Sequence, residues 1–308
     1  MTEYQRGNFM LKHIILLILI TCSLPSFSSD VHSFKKATWN MQGSGGGAKW
    51  SNNLLNTILN QGRSASPDII AIQEGGAGPG HYEGNTFRPI TGVVQQPEPG
   101  TATSPIPVDA IGYTHGEPEI VEFIWNIRSG VAPYYIYGLI SDILPNGHPG
   151  RVNSYIISRR RANEVISIAH RAQDNISGVR PHFGIRIDTS FFFSVHSISS
   201  HAAATDTAYR LDTIEQYVSS RGSQYDWAAM GDFNAEPDSV HIQMQHYPSL
   251  RQVQTVSTGH ATQISRRELD YMFFRDVVGA SGNSILSAYL LAAIISLYNS
   301  DHFPVRFW

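Results

Sequence analysis

Four stretches of this chain share one pattern. An apolar run of strand length ends in a side chain that can bind a cation or move a proton. Thr38-Trp39 leads to Asn40, and Ile69-Ile70-Ala71-Ile72 leads to Gln73-Glu74. Phe192-Phe193-Ser194-Val195 leads to His196, and Ala228-Ala229-Met230-Gly231 leads to Asp232-Phe233-Asn234. A fifth stretch, Ser300-Asp301-His302, runs the other way, with its polar residues ahead of Phe303-Pro304-Val305. Near-continuous apolar runs suit strands buried on both faces. Polar residues at their ends suit loops that converge at one edge of a sheet.

Other runs of strand length lie at 134–137, 154–158, 184–187 and 271–274. Between the runs, residues 50–59 place Trp50, Leu54, Leu55 and Ile58 on one helical face. Residues 202–218 do the same with Ala208, Leu211, Ile214 and Val218. Strands alternating with helices predict a layered α/β fold. Residues 75–119 are rich in Gly and Pro and read as one long loop. Residues 285–298 are apolar but too few to span a bilayer, and read as a buried strand or helix.

The N-terminus reads as a removable leader. Arg6 and Lys12 precede the apolar stretch from Ile14 to Ile20, and Ser26-Phe27-Ser28 offers small residues for cleavage. We divide the chain into a signal peptide, 1–28, and one domain, 29–308. Cys22, the sole cysteine, falls in the leader, so the mature chain has neither disulfides nor thiolate chemistry. The whole chain carries a net charge of −3, and loss of the leader removes Arg6, Lys12 and Glu3, which makes it more acidic. That balance excludes a generally basic nucleic-acid binder. Any attraction to a polyanion must be local, with Arg159-Arg160-Arg161, Arg180 and Arg266-Arg267 as candidate patches.

The polar residues suit phosphodiester hydrolysis. That reaction needs an activated water, neutralisation of developing charge, a protonated leaving oxygen and in-line placement. Carboxylates and amides supply the oxygen ligands that Mg²⁺ or Ca²⁺ requires. Histidine moves protons near neutral pH and needs a carboxylate to fix its tautomer.

Taken in order, Trp39-Asn40-Met41-Gln42-Gly43-Ser44, Ile72-Gln73-Glu74, Arg151-Val152-Asn153, Ile157-Ser158-Arg159, Gly231-Asp232-Phe233-Asn234, Leu269-Asp270-Tyr271 and Ser300-Asp301-His302-Phe303-Pro304-Val305 resemble the endonuclease/exonuclease/phosphatase superfamily typified by deoxyribonuclease I. Within it they resemble the B subunits of the cytolethal distending toxins. The resemblance runs from about Val31 to Trp308. It implies a four-layer α/β (α+β) sandwich of two mainly antiparallel sheets flanked by helices. It also implies a secreted genotoxin catalytic subunit: a Mg²⁺-dependent deoxyribonuclease, with Ca²⁺ or Mn²⁺ as other candidate ions. DNA would be the substrate, reached inside a target eukaryotic cell, in the nucleus, with non-covalent delivery subunits as partners.

Carried over residue by residue, Glu74 is the main metal ligand, with Asn40 and Asp301 beside it. His196 and His302 handle protons and phosphoryl oxygens, without an assignment of acid and base. Asp232 positions the water or its histidine, and Asp270 orients His302. Asn234 holds the phosphate, with Arg128, Arg160, Arg161 and Asn153 as further phosphate contacts. The chain departs from the pattern in its longer segment after Glu74 and in Ala235, where the toxins often carry arginine. Two alternatives remain: a phosphoinositide phosphatase or other phosphodiesterase of the same superfamily, and an inactive binding subunit of a toxin complex.

Overall fold

A computed structural model describes residues 30–43, 49–50, 54, 66–79, 87–90, 119–125, 132–146, 148–168, 180–276, 287–290 and 300–308. The leader, Arg128 and most of the 75–119 segment lie outside the described residues.

Fourteen described strands form two sheets. The first holds β1 (Lys36–Asn40), β2 (Ile69–Gln73), β3 (Phe87–Ile90), β4 (Glu119–Trp125), β5 (Tyr134–Ile140), β6 (Ser154–Ser158), β13 (Ala288–Leu290) and β14 (Val305–Phe307). Its order is β13-β14-β1-β2-β6-β5-β4-β3. The second holds β7 (Glu164–Ile168), β8 (His182–Ile187), β9 (Ser190–His196), β10 (Asp226–Asp232), β11 (Gln254–Val256) and β12 (Asp270–Arg275), in the order β11-β12-β10-β9-β8-β7. Each sheet has one parallel pair, β1 with β2 and β9 with β10, among antiparallel neighbours. Helix α1 (Ala203–Arg221) connects β9 to β10, and α2 (Pro237–Met244) follows β10.

The pleat explains the layers. Along β9 and β10, Phe191, Phe193, Val195, Trp227 and Ala229 pack with Leu211, Ile214 and Val218 of α1. Their alternates Phe192, Ala228 and Met230 pack with Ile69, Ala71 and Ile156 of the other sheet. On the outer face of the first sheet, Trp39, Ile70, Ile72 and Ile157 meet Trp50 and Leu54. The period of two that sends successive side chains to opposite faces thus gives three apolar seams between four layers. The two large sheets are mainly antiparallel, as the resemblance implies.

Two readings of the sequence change. The 75–119 segment is not uniformly loop, because Phe87–Ile90 forms a strand paired with β4. That strand is at the sheet edge, where Pro89 costs no ladder bond, so neither alternation nor apolarity marked it. Within 285–298, Ala288–Leu290 is also an edge strand, and Tyr289 is exposed rather than buried. Of the helical face at 50–59, Trp50 and Leu54 are buried, while Leu55 and Ile58 lie outside the described residues. Among the described residues no helix is long and apolar enough to cross a membrane.

Candidate active site

Strand direction brings the motifs to one end of the sandwich. Parallel pairing puts Asn40 opposite Gln73 at the ends of β1 and β2, and His196 opposite Asp232 at the ends of β9 and β10. Antiparallel pairing then recruits residues at strand beginnings: Asp270 lies opposite Asp232. Val305 lies opposite Thr38, so residues 300–302 arrive beside Asn40. Ser300 fixes the approach by donating its hydroxyl to the Asn40 carbonyl at 2.8 Å.

The two sheets meet directly at this edge. Asn40 Nδ2 donates to Asp232 Oδ2 at 2.8 Å, and Gln73 Nε2 donates to Ser194 Oγ at 3.0 Å. Glu74 and Asn234, which follow β2 and β10, have φ of 50° and 52°, in the left-handed region that non-glycine residues rarely adopt. Such strain persists where surrounding bonds hold it, and Asn234 is held by its N–H to Asp232 Oδ1 and its Nδ2 to the Ser197 carbonyl, both at 2.9 Å. Gly231 is needed for close approach, since a Cβ there would lie 1.8 Å from the Val195 carbonyl oxygen.

The two histidines have contrasting environments. His302 Nδ1 lies 2.7 Å from Asp270 Oδ2, and its Nε2 faces Asp232 Oδ2 at 3.6 Å and Asp301 Oδ1 at 3.8 Å. Burial opposes a charge on this ring, but Asp270, Asp232 and Asp301 outweigh it and raise its pKa to about 10. His196 Nε2 lies 3.6 Å from Glu74 Oε1 and 3.7 Å from Asp232 Oδ2. Burial lowers its pKa well below the usual value, and the charges of Arg180 and Arg210 add to the effect. Burial raises the pKa of Asp232, and the neighbouring Asp270 carboxylate adds to it.

The donor set suits a hard cation. Glu74 Oε2, Asp270 Oδ1 and Asp301 Oδ1 are buried without hydrogen-bond partners, although Arg151 Nη1 is 3.1 Å from Glu74 Oε2. Such orphaned carboxylate oxygens are costly unless a charge meets them. Asp232, Asp270 and His302 also offer ligand atoms within 4.8 Å of one another. In that trio, however, the short His302–Asp270 contact already serves as a tautomer-fixing hydrogen bond. Glu74 and Asp301 form the more open side, and both act on the charge of Lys49. Asn40 is bonded through both ends of its amide, to Asp232 and to the Gln42 N–H. Its oxygen keeps a second lone pair for a cation.

Asn40, Glu74, His196, Asp232, Asn234, Asp270, Asp301 and His302 therefore come together. Three expected phosphate contacts do not join them. Arg160 and Arg161 follow β6, whose Ser158 pairs with Ile69 at the start of β2, so they sit a full strand from Glu74, about 17 Å. There they are committed to Asp188 and Glu122. Asn153 is wholly buried, its oxygen accepting from the N–H groups of Ser141 and Asp142 and its Nδ2 donating to the Gly76 and Gly150 carbonyls. It braces the loops around Glu74 and Arg151, with no atom turned to a substrate.

Other cations take the place of that arginine cluster. Arg151 pairs with Glu74, while Arg180 and Arg210 bear electrostatically on His196. Arg210 was not marked from sequence, although its signal is readable: Asp206 and Arg210 form an i,i+4 ion pair, and both are buried. Thr262 was also missed. It is fully buried, donates to Asp270 Oδ2 at 2.8 Å, and accepts the Leu269 and Asp270 N–H groups.

Comparison with known proteins agrees with this geometry. Residues 37–302 match the model of the Endonuclease/Exonuclease/phosphatase family. The chain is 30% identical to the B subunit of the Escherichia coli cytolethal distending toxin, over 96% of this chain and 98% of that one. It is 29% identical to the Salmonella typhi homolog of the same toxin component, over 95% and 96%. The solved structure of CdtB, the biologically active subunit of cytolethal distending toxin, superposes with a TM-score of 0.70 at 29% identity, covering 90% of this chain and 97% of that one. The Haemophilus ducreyi toxin structure gives 0.68 at 27% identity, over 90% and 98%. With a continuous family match, two full-length relatives and a shared sandwich, the chain belongs to the endonuclease/exonuclease/phosphatase family and, within it, to the B subunits of the cytolethal distending toxins.

Proposed function

We propose that this protein is a Mg²⁺-dependent endonuclease that hydrolyses DNA phosphodiesters as the catalytic subunit of an exported genotoxin. The observation that carries the chemistry is the pairing of two histidines in opposite environments across Asp232: His302 beside Asp270, and His196 beside Glu74. Environments that push the proton affinities of neighbouring groups apart separate their roles: a charged proton donor at His302 and a neutral ring at His196.

Glu74 and Asp301, with Asn40 beside them, would hold Mg²⁺, and Ca²⁺ or Mn²⁺ would meet the same oxygens. A bound ion would neutralise charge on a phosphoryl oxygen. The chain supplies the rest. His302, kept charged by Asp270, donates its Nε2 proton to the departing oxygen. Asp232, whose raised proton affinity suits a base near neutrality, takes the proton of the attacking water. His196, neutral through burial, donates a hydrogen bond to a non-bridging oxygen. Asn234 holds the same phosphate, and the charges of Arg151, Arg180 and Arg210 bear on His196 and help keep it neutral.

DNA as the substrate is supported by membership of the toxin B subunits. Those relatives are named as one component of a toxin, which supports non-covalent delivery partners here. Export by the 1–28 leader, a single domain from 29 onward and action in the nucleus of a target cell complete the reading.

The test incubates the purified protein with supercoiled plasmid and, separately, with phosphatidylinositol trisphosphate, each with Mg²⁺. We expect plasmid nicking, lost by a factor of about 10² to 10⁴ in His196→Ala with the fold intact. Lipid turnover with intact plasmid would replace DNA by phosphoinositide as substrate. No turnover of either would favour a purely binding role.

A further inference from the structure

The connection from β11 to β12 ends in a tight turn beside the site. The N–H groups of Thr262 and Gln263 both donate to the Arg267 carbonyl, at 3.0 and 3.2 Å, and the Arg266 N–H donates to the Gln263 carbonyl at 3.0 Å. Ile264, Ser265, Arg266 and Arg267 form its exposed outer edge. Arg266 is held at φ 67°, where a non-glycine residue is rare.

This turn is fastened to the site on both flanks. The Ile264 N–H donates to the Asp301 carbonyl at 3.0 Å, and the Gln263 side-chain amide lies 3.0 Å from His302 Nε2. On the other flank, Arg267 Nη2 donates to the Asn234 carbonyl at 3.1 Å. Arg266 and Arg267 therefore stand just outside the residues that would hold the scissile phosphate.

Their charge is available. Arg151, Arg159, Arg160, Arg161 and Arg221 are each matched to a carboxylate. Arg266 and Arg267 form no ion pair among the described residues. Exposed guanidiniums without carboxylates are suited to phosphate oxygens. They meet only a substrate that continues past the reacting group with further charges. A membrane-bound headgroup would need an apolar edge around the site, and this turn offers one exposed apolar side chain, Ile264.

We infer that the turn formed by residues 262–267 clamps a polynucleotide backbone, with Arg266 and Arg267 on the phosphates that flank the scissile one. The inference rests on the DNA reading above. It adds where the chain makes a local positive surface despite its acidic balance.

The test compares the protein with Arg266→Ala/Arg267→Ala, using plasmid nicking and hydrolysis of a small diester, thymidine 5′-(p-nitrophenyl phosphate). For the double variant, kcat/KM on plasmid should fall about tenfold relative to kcat/KM on the small diester, mainly through KM. Binding of a fluorescent duplex in the His196→Ala background should lose about two from its slope against log salt. Arg266→Lys/Arg267→Lys should restore most of both. An unchanged ratio and salt slope, with the parent protein nicking plasmid, overturns the clamp and leaves the DNA reading standing. Equal loss on both substrates also overturns it, because the turn would then act through Asp301 and Asn234. A parent protein that turns over lipid and leaves plasmid intact overturns the DNA reading itself, and the clamp with it.

Discussion

Asp270 Oδ2 receives two short contacts, one from His302 Nδ1 at 2.7 Å and one from the Thr262 hydroxyl at 2.8 Å. The oxygen that raises the pKa of His302 is therefore itself held in place by a buried side chain. Removing the carboxylate should lower that pKa, which stands at about 10. The acid form required for turnover would then be lost at lower pH. In Asp270→Asn we expect the alkaline limb of the pH–rate profile to move toward neutrality and the rate at pH 8 to fall by about 10² or more. A limb at the same pH in the variant would refute the assignment of His302 as the acid.

Metal dependence should be visible in stability as well as in activity. A ligand that binds only the folded state at a hundredfold excess over its Kd adds about 2.7 kcal/mol. Mg²⁺ should raise the melting temperature of the protein, and a chelator should reverse the rise and stop nicking. In Glu74→Gln the thermal shift should disappear. A variant that keeps the full shift would remove Glu74 from the ion's ligands.

Gly231 carries the close approach of β10 to β9. Gly231→Ala places a Cβ 1.8 Å from a backbone oxygen that has no freedom to yield. The clash should cost about 3 kcal/mol or more and disturb the pairing of His196 with Asp232. Denaturant unfolding would detect it, and a midpoint within error of the parent protein would contradict the geometry.

A buried lysine lies at the far end of the sandwich. Lys36 is wholly buried and donates to the carbonyls of Val31 and Phe34. Burial brings its pKa down to about 7, so between there and its ordinary value the unfolded chain binds more protons than the folded one. Stability from this group should therefore rise with pH over that window, by up to about 1.4 kcal/mol per pH unit. Asp226 has the opposite sign: burial raises it to about 6, so its contribution falls as pH rises toward that value. His302, raised to about 10, contributes the opposite slope over the same alkaline range, so the Lys36 contribution is read as a difference between the protein and Lys36→Met in unfolding free energy from pH 7 to 9. The stability of the protein relative to Lys36→Met should rise with pH over that range, and a difference independent of pH would contradict the lowered pKa.

Much of the first sheet and most of the second were legible because apolarity and alternation mark strands packed on both faces, as in β2, β9 and β10. Edge strands gave weaker signals, since β3 contains a proline and β13 leaves Tyr289 in solvent. The candidate site was legible where a polar residue ends or begins a buried strand. It was not legible where position depends on topology. Arg160 and Arg161 are a short step from motif residues in sequence but at the wrong end of β6, and the sequence reading placed them near the site for lack of strand direction. Thr262 and Gln263 reach Asp270 and His302 through a turn that no periodicity marks.

The bond from Asn40 to Asp232 joins one sheet to the other inside the site. Neither sheet carries a complete set of working groups: Asn40, Glu74, Asp301 and His302 belong to one, and His196, Asp232 and Asp270 to the other. The Ser300–Asn40 contact adds a closure across 260 residues of chain, among the slowest kinds of contact to form. A partly folded molecule with one finished sheet would therefore be catalytically silent. Turnover would begin only when both halves and their distant segments have locked together, which makes enzymatic activity a late and stringent readout of complete folding.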